Sequence, residues 1–402
     1  MRIELTKNVK FIINTLEDNG YDAFIVGGSV RDQLMKKKVS DYDITTNARP
    51  EIVKKLFKKT IDTGIEHGTV TVVINDKNKN QNFEVTTFRI DGEYKDGRHP
   101  MSVRFVNELY YDLSRRDFTI NAIAYNERYG LVDRFGGSKD IKKKIIKAVG
   151  NPIDRFNEDA LRMIRAIRFA AKFDFTIEEE TKNAIIKLSS NIKKVSKERI
   201  HIELDKIITS EHPEFIKCIV EYGLAQFIAK DFEYINLNKI IKTDKLYIAY
   251  ISLFYNTKII PKKILKELKY DTELIKHVDI VLSKIDEFKN IVEKQNNDSK
   301  LKFLISEIGY DYCYDLIKIV SFKENKNLKH ILEKVINYET NKDPIFLKDM
   351  KINGYDLMSI GIKNKNIGLV LNKLLIKIHS DKTINNRDEL IKIAKGVKNE
   401  LY

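Results

Sequence analysis

Cysteine is scarce in this 402-residue chain: there are two, Cys218 and Cys313, far apart and outside any metal-ligand spacing. That excludes a disulfide framework and makes a reducing cytoplasm the expected compartment. No run of about 18 apolar residues occurs, so no membrane-spanning helix is expected. The opening MRIELTKNVKF lacks the apolar stretch of a signal peptide. Seven scattered histidines form no zinc pattern, and no adjacent His-Asp pair points to a metal phosphohydrolase. No period supports a repeat array. Basic residues, by contrast, are plentiful: 72 Lys and Arg against 58 Asp and Glu, a formal net charge of +14. Such an excess suits a solvated surface or a polyanionic partner such as nucleic acid, and charge alone does not choose between them.

Apolar periodicity divides the chain. Val9, Ile12, Ile13 and Leu16 predict a helix over 5–19, stopped by Asn19-Gly20. Strands are predicted at 23–26, 41–45, 68–74 and 83–89, with 75–82 as a polar hairpin connection. Helices are predicted for ARPEIVKKLFKK (48–59) and DFTINAIAYN (117–126). After Asn151-Pro152 the pattern is helical to the end, with no convincing strand, and 286–300 reads as a linker. The expected fold is α+β: a small mixed sheet with helices, followed by an all-α remainder.

Residues 24–46, FIVGGSVRDQLMKKKVSDYDITT, concentrate the chemistry. Gly27 and Gly28 follow an apolar strand, where their backbone N–H groups can approach a triphosphate without a Cβ in the way. Arg31 can meet phosphate as a fork. Asp41 and Asp43 flank Tyr42; at i and i+2 of a strand they share a face, about 6–7 Å apart. Carboxylates that close repel unless a cation lies between them, which is the arrangement for one or two Mg²⁺ ions and phosphoryl transfer. A bare D-x-D is more often a solvated turn. The ordered set of glycine turn, arginine and carboxylate pair points to the chemistry.

This ordered set resembles the class II tRNA nucleotidyltransferases and bacterial poly(A) polymerases of the polymerase-β superfamily. Four further segments are similar to family motifs: TFRIDGEYKDGRHPMSVRFV (87–106), DLSRRDFTINAIAYN (112–126), GNPIDRFNEDALRMIRAIRFAAKFDF (150–175) and SKERIHIELDKI (196–207). INGYDLMSIGIKNKNIGLVLNKLL (352–375) resembles the tail of the long bacterial members that add CCA to tRNA. The resemblance is dense over 15–210, sparse to 345 and moderate beyond. It implies a catalytic head at 1–145, a helical neck at 146–210, a body at 211–300 and a tRNA-binding tail at 301–402.

On helical geometry Met163, Ile164, Ile167, Ala170 and Ala171 share one arc, and Glu158, Asp159, Arg162, Arg165 and Arg168 the other. Read locally, this is an amphipathic surface helix with a Glu158–Arg162 pair. The resemblance implies a sharper role, in which Asp159 and Arg162 offer an acceptor beside donors. Cytosine and adenine each match that pair; guanine and uracil carry the reverse pattern and would leave groups unpaired at about 1–3 kcal/mol each. Arg165 and Arg168 would meet phosphate or position Asp159. Arg116 would contact the nucleotide. Asp117 (as a helix cap), Asn121, Glu158 and Glu84 (a third carboxylate near the metal) are supporting candidates.

The implied reaction is template-independent CCA addition to the tRNA 3′ end with CTP, ATP and Mg²⁺, gripping the acceptor and TΨC arms. The glycine-bearing loop RIDGEYKDGRHP favours full CCA addition over CC-only addition. TIDTGIEHGTVTVV stands where poly(A) polymerases show a basic motif. A-adding or CC-adding partial enzymes, a poly(A) polymerase, a small-molecule nucleotidyltransferase and an inactive RNA-binding relative are the alternatives. Monomer and homodimer both stay open, and no membrane partner is expected.

Overall fold

The computed structural model describes residues 3–39, 41–76, 79–92, 102–294 and 297–401. The chain forms two compact units, residues 1–233 with 267–269, and 234–266 with 270–402.

The first unit begins with helix α1 (Lys7–Asp18), which buries Val9, Ile12, Ile13 and Leu16 and is capped by the Thr6 hydroxyl. Strand β1 (Ala23–Val26) is buried throughout. Gly27, at φ +69°, turns the chain into α2 (Gly28–Leu34). Then follow β2 (Asp43–Thr46), α3 (Pro50–Leu56), β3 (Thr60–Gly64), β4 (Thr69–Asp76) and β5 (Lys79–Thr87). The hairpin β6 (Arg89–Asp91) and β7 (Val103–Phe105) precedes α4 (Leu109–Ser114), β8 (Ala124–Asn126), β9 (Gly130–Val132) and α5 (Gly137–Lys143). The seven-stranded sheet runs β3-β4-β5-β2-β1-β8-β9. Strand β2 pairs antiparallel with β1 and parallel with β5, so it lies inside the sheet.

The first unit continues as α6 (Pro152–Glu158), α7 (Leu161–Phe173), α8 (Glu179–Leu188) and α9 (Lys197–Ile208). Helix α7 buries Met163, Ile164, Ile167, Ala170 and Ala171 completely. Each large apolar side chain of that kind stabilises the unit by roughly 1.5–3 kcal/mol relative to exposure.

Several sequence expectations are corrected here. The single helix from Glu158 to Ala171 is broken, because Asp159 adopts extended backbone between α6 and α7. The helix expected at 117–126 is a 3₁₀ turn, Thr119–Asn121, followed by β8; pairing with β1 overrides the helical pattern. The helix expected at 48–59 is shorter, Pro50–Leu56, and is followed by strand β3, which was not expected and carries one large apolar residue, Ile61, to announce it. A two-residue strand, Thr176–Ile177, pairs in parallel with Ile145–Ile146, although no strand was expected beyond Asn151. Much of the polar connection expected at 75–82 is ladder, with Asn75 facing Asn80 and Asn82 facing Val73.

The regular elements of the second unit are all helices among its described residues, from Leu246–Phe254 to Arg387–Leu401. The expected linker at 286–300 instead carries parts of two helices, Ile285–Glu293 and Asp298–Ile308; the first buries Ile285, Phe288 and Ile291 at helical spacing. The last helices of this unit share a core built on Leu357, Val370, Leu374, Ile378, Leu390 and Ala394. Among the described residues no helix is long and apolar enough to cross a membrane.

Candidate active site

The site is built at the C-terminal end of β1. Gly27 makes the turn, and a methyl group placed on it would come within 3.0 Å of Arg116 Nη1. Asp43 opens β2 and Asp41 stands just before it, both exposed. The β2–β5 register sets Glu84 directly beside Asp43. Desolvation by the surrounding protein raises the Asp43 carboxyl, opposed by Arg116 and Arg31 and reinforced by Asp41. Glu84 is raised by the same desolvation, then by Asp43 and Asp41. Glu84 therefore feels the charge of both aspartates, and Asp43 that of Asp41.

Among the described residues no three His, Cys, Asp or Glu side chains converge as a closed metal cage. An open set of hard oxygen donors is nonetheless what Mg²⁺ accepts, since it binds through one or two carboxylates and completes its shell with water and substrate phosphates. Asp41 and Asp43 suit that role, with Glu84 adjacent.

Arg31 is almost fully buried. Its Nε donates to Asp32 at 2.8 Å and its Nη1 to Asn121 Oδ1. Its guanidinium lies 4.7 Å from the Phe173 ring centroid and 5.5 Å from that of Phe169. Asn121 Nδ2 donates to Asp117 Oδ1 at 2.9 Å, and Arg165 grips Asp117 Oδ2 through Nε and Nη2 at 3.0 and 2.6 Å. A continuous chain of hydrogen bonds thus runs from α7 through Asp117 and Asn121 to the helix after the glycine turn. Burial would raise the Asp117 carboxyl, but Arg165 and the Asn121 bond outweigh it and hold the group well below the usual carboxylate range.

The charged edge of α7 faces the interior of this unit. Arg168 pairs with Glu203 of α9 and lies 4.0 Å from the Phe169 ring centroid. Arg165 approaches Glu203 at 3.8 Å. Arg162 is buried; its Nη1 donates to Glu158 at 2.7 Å and its Nη2 to the Arg115 carbonyl at 3.0 Å. Asp159 accepts from Leu161 N–H at 3.0 Å and from Arg199 of α9 at 2.7 Å. This excludes the amphipathic surface helix. Asp117 caps no helix: its Oδ1 accepts from Phe118 N–H at 2.8 Å and from Asn121. Arg199, Glu203 and Asp112 are partners that periodicity could not single out, because each meets a residue 35 or more positions away. Of the predicted loop, 93–101 lies outside the described residues.

Residues 23–147 match the family described as "Poly A polymerase head domain", and 174–235 match "Probable RNA and SrmB- binding site of polymerase A". The chain is 36% identical to a CCA-adding enzyme of Ligilactobacillus salivarius, over 97% of this chain and 96% of that one. It is 35% identical to one from Staphylococcus aureus, over 96% and 97%. The chain belongs to the CCA-adding enzyme family. Its fold superimposes on a crystal structure of the Bacillus stearothermophilus CCA-adding enzyme in complex with CTP, with a TM-score of 0.79 and 26% identity over 97% of this chain and 96% of that chain. A Thermotoga maritima CCA-adding enzyme complexed with tRNA shares the fold at a TM-score of 0.68 and 21% identity, over 98% and 97%.

Proposed function

We propose that this chain adds CCA to the 3′ end of tRNA from CTP and ATP, choosing each base with its own side chains. The observation that carries the reading is the buried relay Arg165–Asp117–Asn121–Arg31, which ties the candidate base-reading helix to the glycine turn of the carboxylate-bearing sheet. In this reading Gly27, Gly28 and Arg116 receive the triphosphate. Arg31, Arg165 and Arg168 support that cradle and hold α7 in register. Asp41 and Asp43 would hold Mg²⁺, with Glu84 in support; the ion, when bound, polarises the α-phosphate and lowers the pKa of the tRNA 3′-hydroxyl. The hydroxyl attacks in line and pyrophosphate leaves, so no side chain serves as a nucleophile.

Asp159 and Arg162 present the base-reading edge. A carboxylate accepts about four hydrogen bonds and a guanidinium donates about five. Among the described residues Asp159 spends two acceptor sites, on Leu161 and Arg199, and Arg162 bonds Glu158, the Arg155 carbonyl and the Arg115 carbonyl. Both therefore keep capacity for a base without breaking what fixes them. Cytosine and adenine satisfy an acceptor beside a donor, whereas guanine and uracil leave it unpaired. The body and tail, with the chain's basic excess, hold the tRNA. The two cysteines, free and buried, suit a reducing cytoplasm.

Incubation with each labelled nucleotide and tRNA lacking its end tests the reading. CC followed by a single A is expected. Long A tails on any RNA would indicate a poly(A) polymerase, A alone or CC alone a partial enzyme, and no incorporation an RNA-binding relative.

A further inference from the structure

Asp112 lies in the RRDF segment's approach and has no role in the reading above, yet it is completely buried. Helix geometry turns it toward the residues three and four places on. Oδ1 accepts from Arg115 Nε at 3.0 Å and Nη2 at 2.7 Å; Oδ2 accepts from Arg116 Nη2 at 3.2 Å and from Thr45 Oγ1 at 3.2 Å. Thr45 is on β2 two residues beyond Asp43, hence on the same face of the strand. Burial opposes the charge, but Arg115 and Arg116 outweigh it and keep the Asp112 carboxyl below its ordinary range. Arg116 in turn lies against Gly27 and is near enough to Asp43 to favour its ionised form, while its ion pair among the described residues is with Asp112. Arg116 Nε is buried with no partner among the described residues. A guanidinium so placed would swing onto the exposed carboxylates if nothing held it from behind.

Resting on the functional reading above, we propose that Asp112 is a positioning residue for nucleotidyl transfer: it holds Arg116 off the Asp43 carboxylate and aims it at the triphosphate over the glycine turn. A triphosphate contact is blind to the base, so CTP and ATP must suffer alike when the anchor is lost.

The test is equilibrium binding of CTP and ATP to Asp112→Asn, in EDTA and in Mg²⁺, with steady-state kinetics alongside. A charge-assisted hydrogen bond of ordinary strength predicts about tenfold weaker binding of both nucleotides. KM should rise more than kcat falls, with tRNA affinity and far-UV circular dichroism unchanged. In an Arg116→Ala background the same substitution should add less than about twofold, because the group it acts through is gone. Unchanged nucleotide affinity, a loss confined to one nucleotide, or the full loss persisting without Arg116 would each overturn the proposal. If the Asn variant does not fold, the charge-matched Asp112→Asn/Arg115→Gln pair is expected to fold and show the same loss; unchanged affinity there counts against the proposal equally. A wild-type chain that adds nothing to tRNA would sink the functional reading instead.

Discussion

Replacing Asp117 by Asn keeps the shape of the side chain and removes its charge. Asp117 uses both oxygens: one takes the Arg165 fork at 3.0 and 2.6 Å, the other takes Phe118 N–H and Asn121. An Asn must turn its amide hydrogens toward either Arg165 or those two donors, so one side always faces donor to donor. Breaking a buried ion pair costs about 3–5 kcal/mol. Arg165 keeps 31% of its side chain in water and has Glu203 at 3.8 Å in reserve. Solvent screening therefore brings the expectation down to about 2–3 kcal/mol at pH 7. The folded-state pKa is depressed below the unfolded value of 3.8, so the contribution is whole above about pH 5 and is lost as pH falls through 4 and below. The gap between wild type and Asp117→Asn should shrink over that range. The chain has no tryptophan, so unfolding in urea is followed by far-UV circular dichroism at a series of pH values. Hydrogen exchange on peptides from α7 and the 117–126 segment localises the loss. A gap under about 1 kcal/mol at pH 7, or one unchanged from pH 5 to 2, would refute the relay's energetic role.

Gly27→Ala should weaken CTP and ATP binding about tenfold and lower stability by about 1–2 kcal/mol, since its φ of +69° suits glycine and a Cβ would press on Arg116 Nη1; isotherms and thermal melts check both. Arg199→Met should relax discrimination against GTP and UTP while leaving triphosphate affinity within about twofold, because it frees Asp159 from its only ion-pair partner among the described residues; misincorporation ratios decide it, and unchanged GTP rejection would contradict the fixed-edge argument. Lys323 is pushed down to about 8 by burial and by Lys239. A depressed ammonium pKa weakens folding below that pH and the penalty fades as pH rises toward 10.5, so Lys323→Met should stabilise by about 1 kcal/mol at pH 7 and by almost nothing above pH 10, read from urea midpoints.

Local signals were legible and long-range ones were not. The glycine turn, the D-Y-D pair and the apolar arc of α7 each rest on residues within a few positions of one another, and their spacing shows in the sequence. The break at Asp159 does not show in the apolar spacing; there its carboxylate accepts from Leu161 N–H and from Arg199, 40 positions away on α9. The 117–126 segment carries helical apolar spacing, yet Ala124 and Tyr125 pair with Val26 and Ile25. In the 286–300 stretch, Ile285, Phe288 and Ile291 have the spacing of a buried helix face, and the polar run after them masks it. The Glu84 register was half visible: alternation gave its strand face, and only the parallel pairing with β2 put it beside Asp43.

In the proposed reading, the charges of α7 would explain how side chains can stand in for a nucleic-acid template. A template base is held by stacking and pairing, whereas an arginine on a surface helix samples many rotamers and would meet any base in some orientation. Here each charged residue of that edge is bound from behind: Arg162 by Glu158, Arg165 by Asp117, Arg168 by Glu203 and Asp159 by Arg199. Such buried pairs add little net stability against an apolar core. Their effect is preorganisation: the ordering entropy is spent when the chain folds, so a wrong base finds an edge that cannot rearrange to accommodate it. The same logic explains why the acids lie behind the arginines, at the end of α6, in the bend before the 3₁₀ turn and in α9. Acids set between the guanidiniums and a triphosphate would repel the phosphates, whereas acids behind them fix direction and, in the proposed reading, leave the positive face toward the triphosphate.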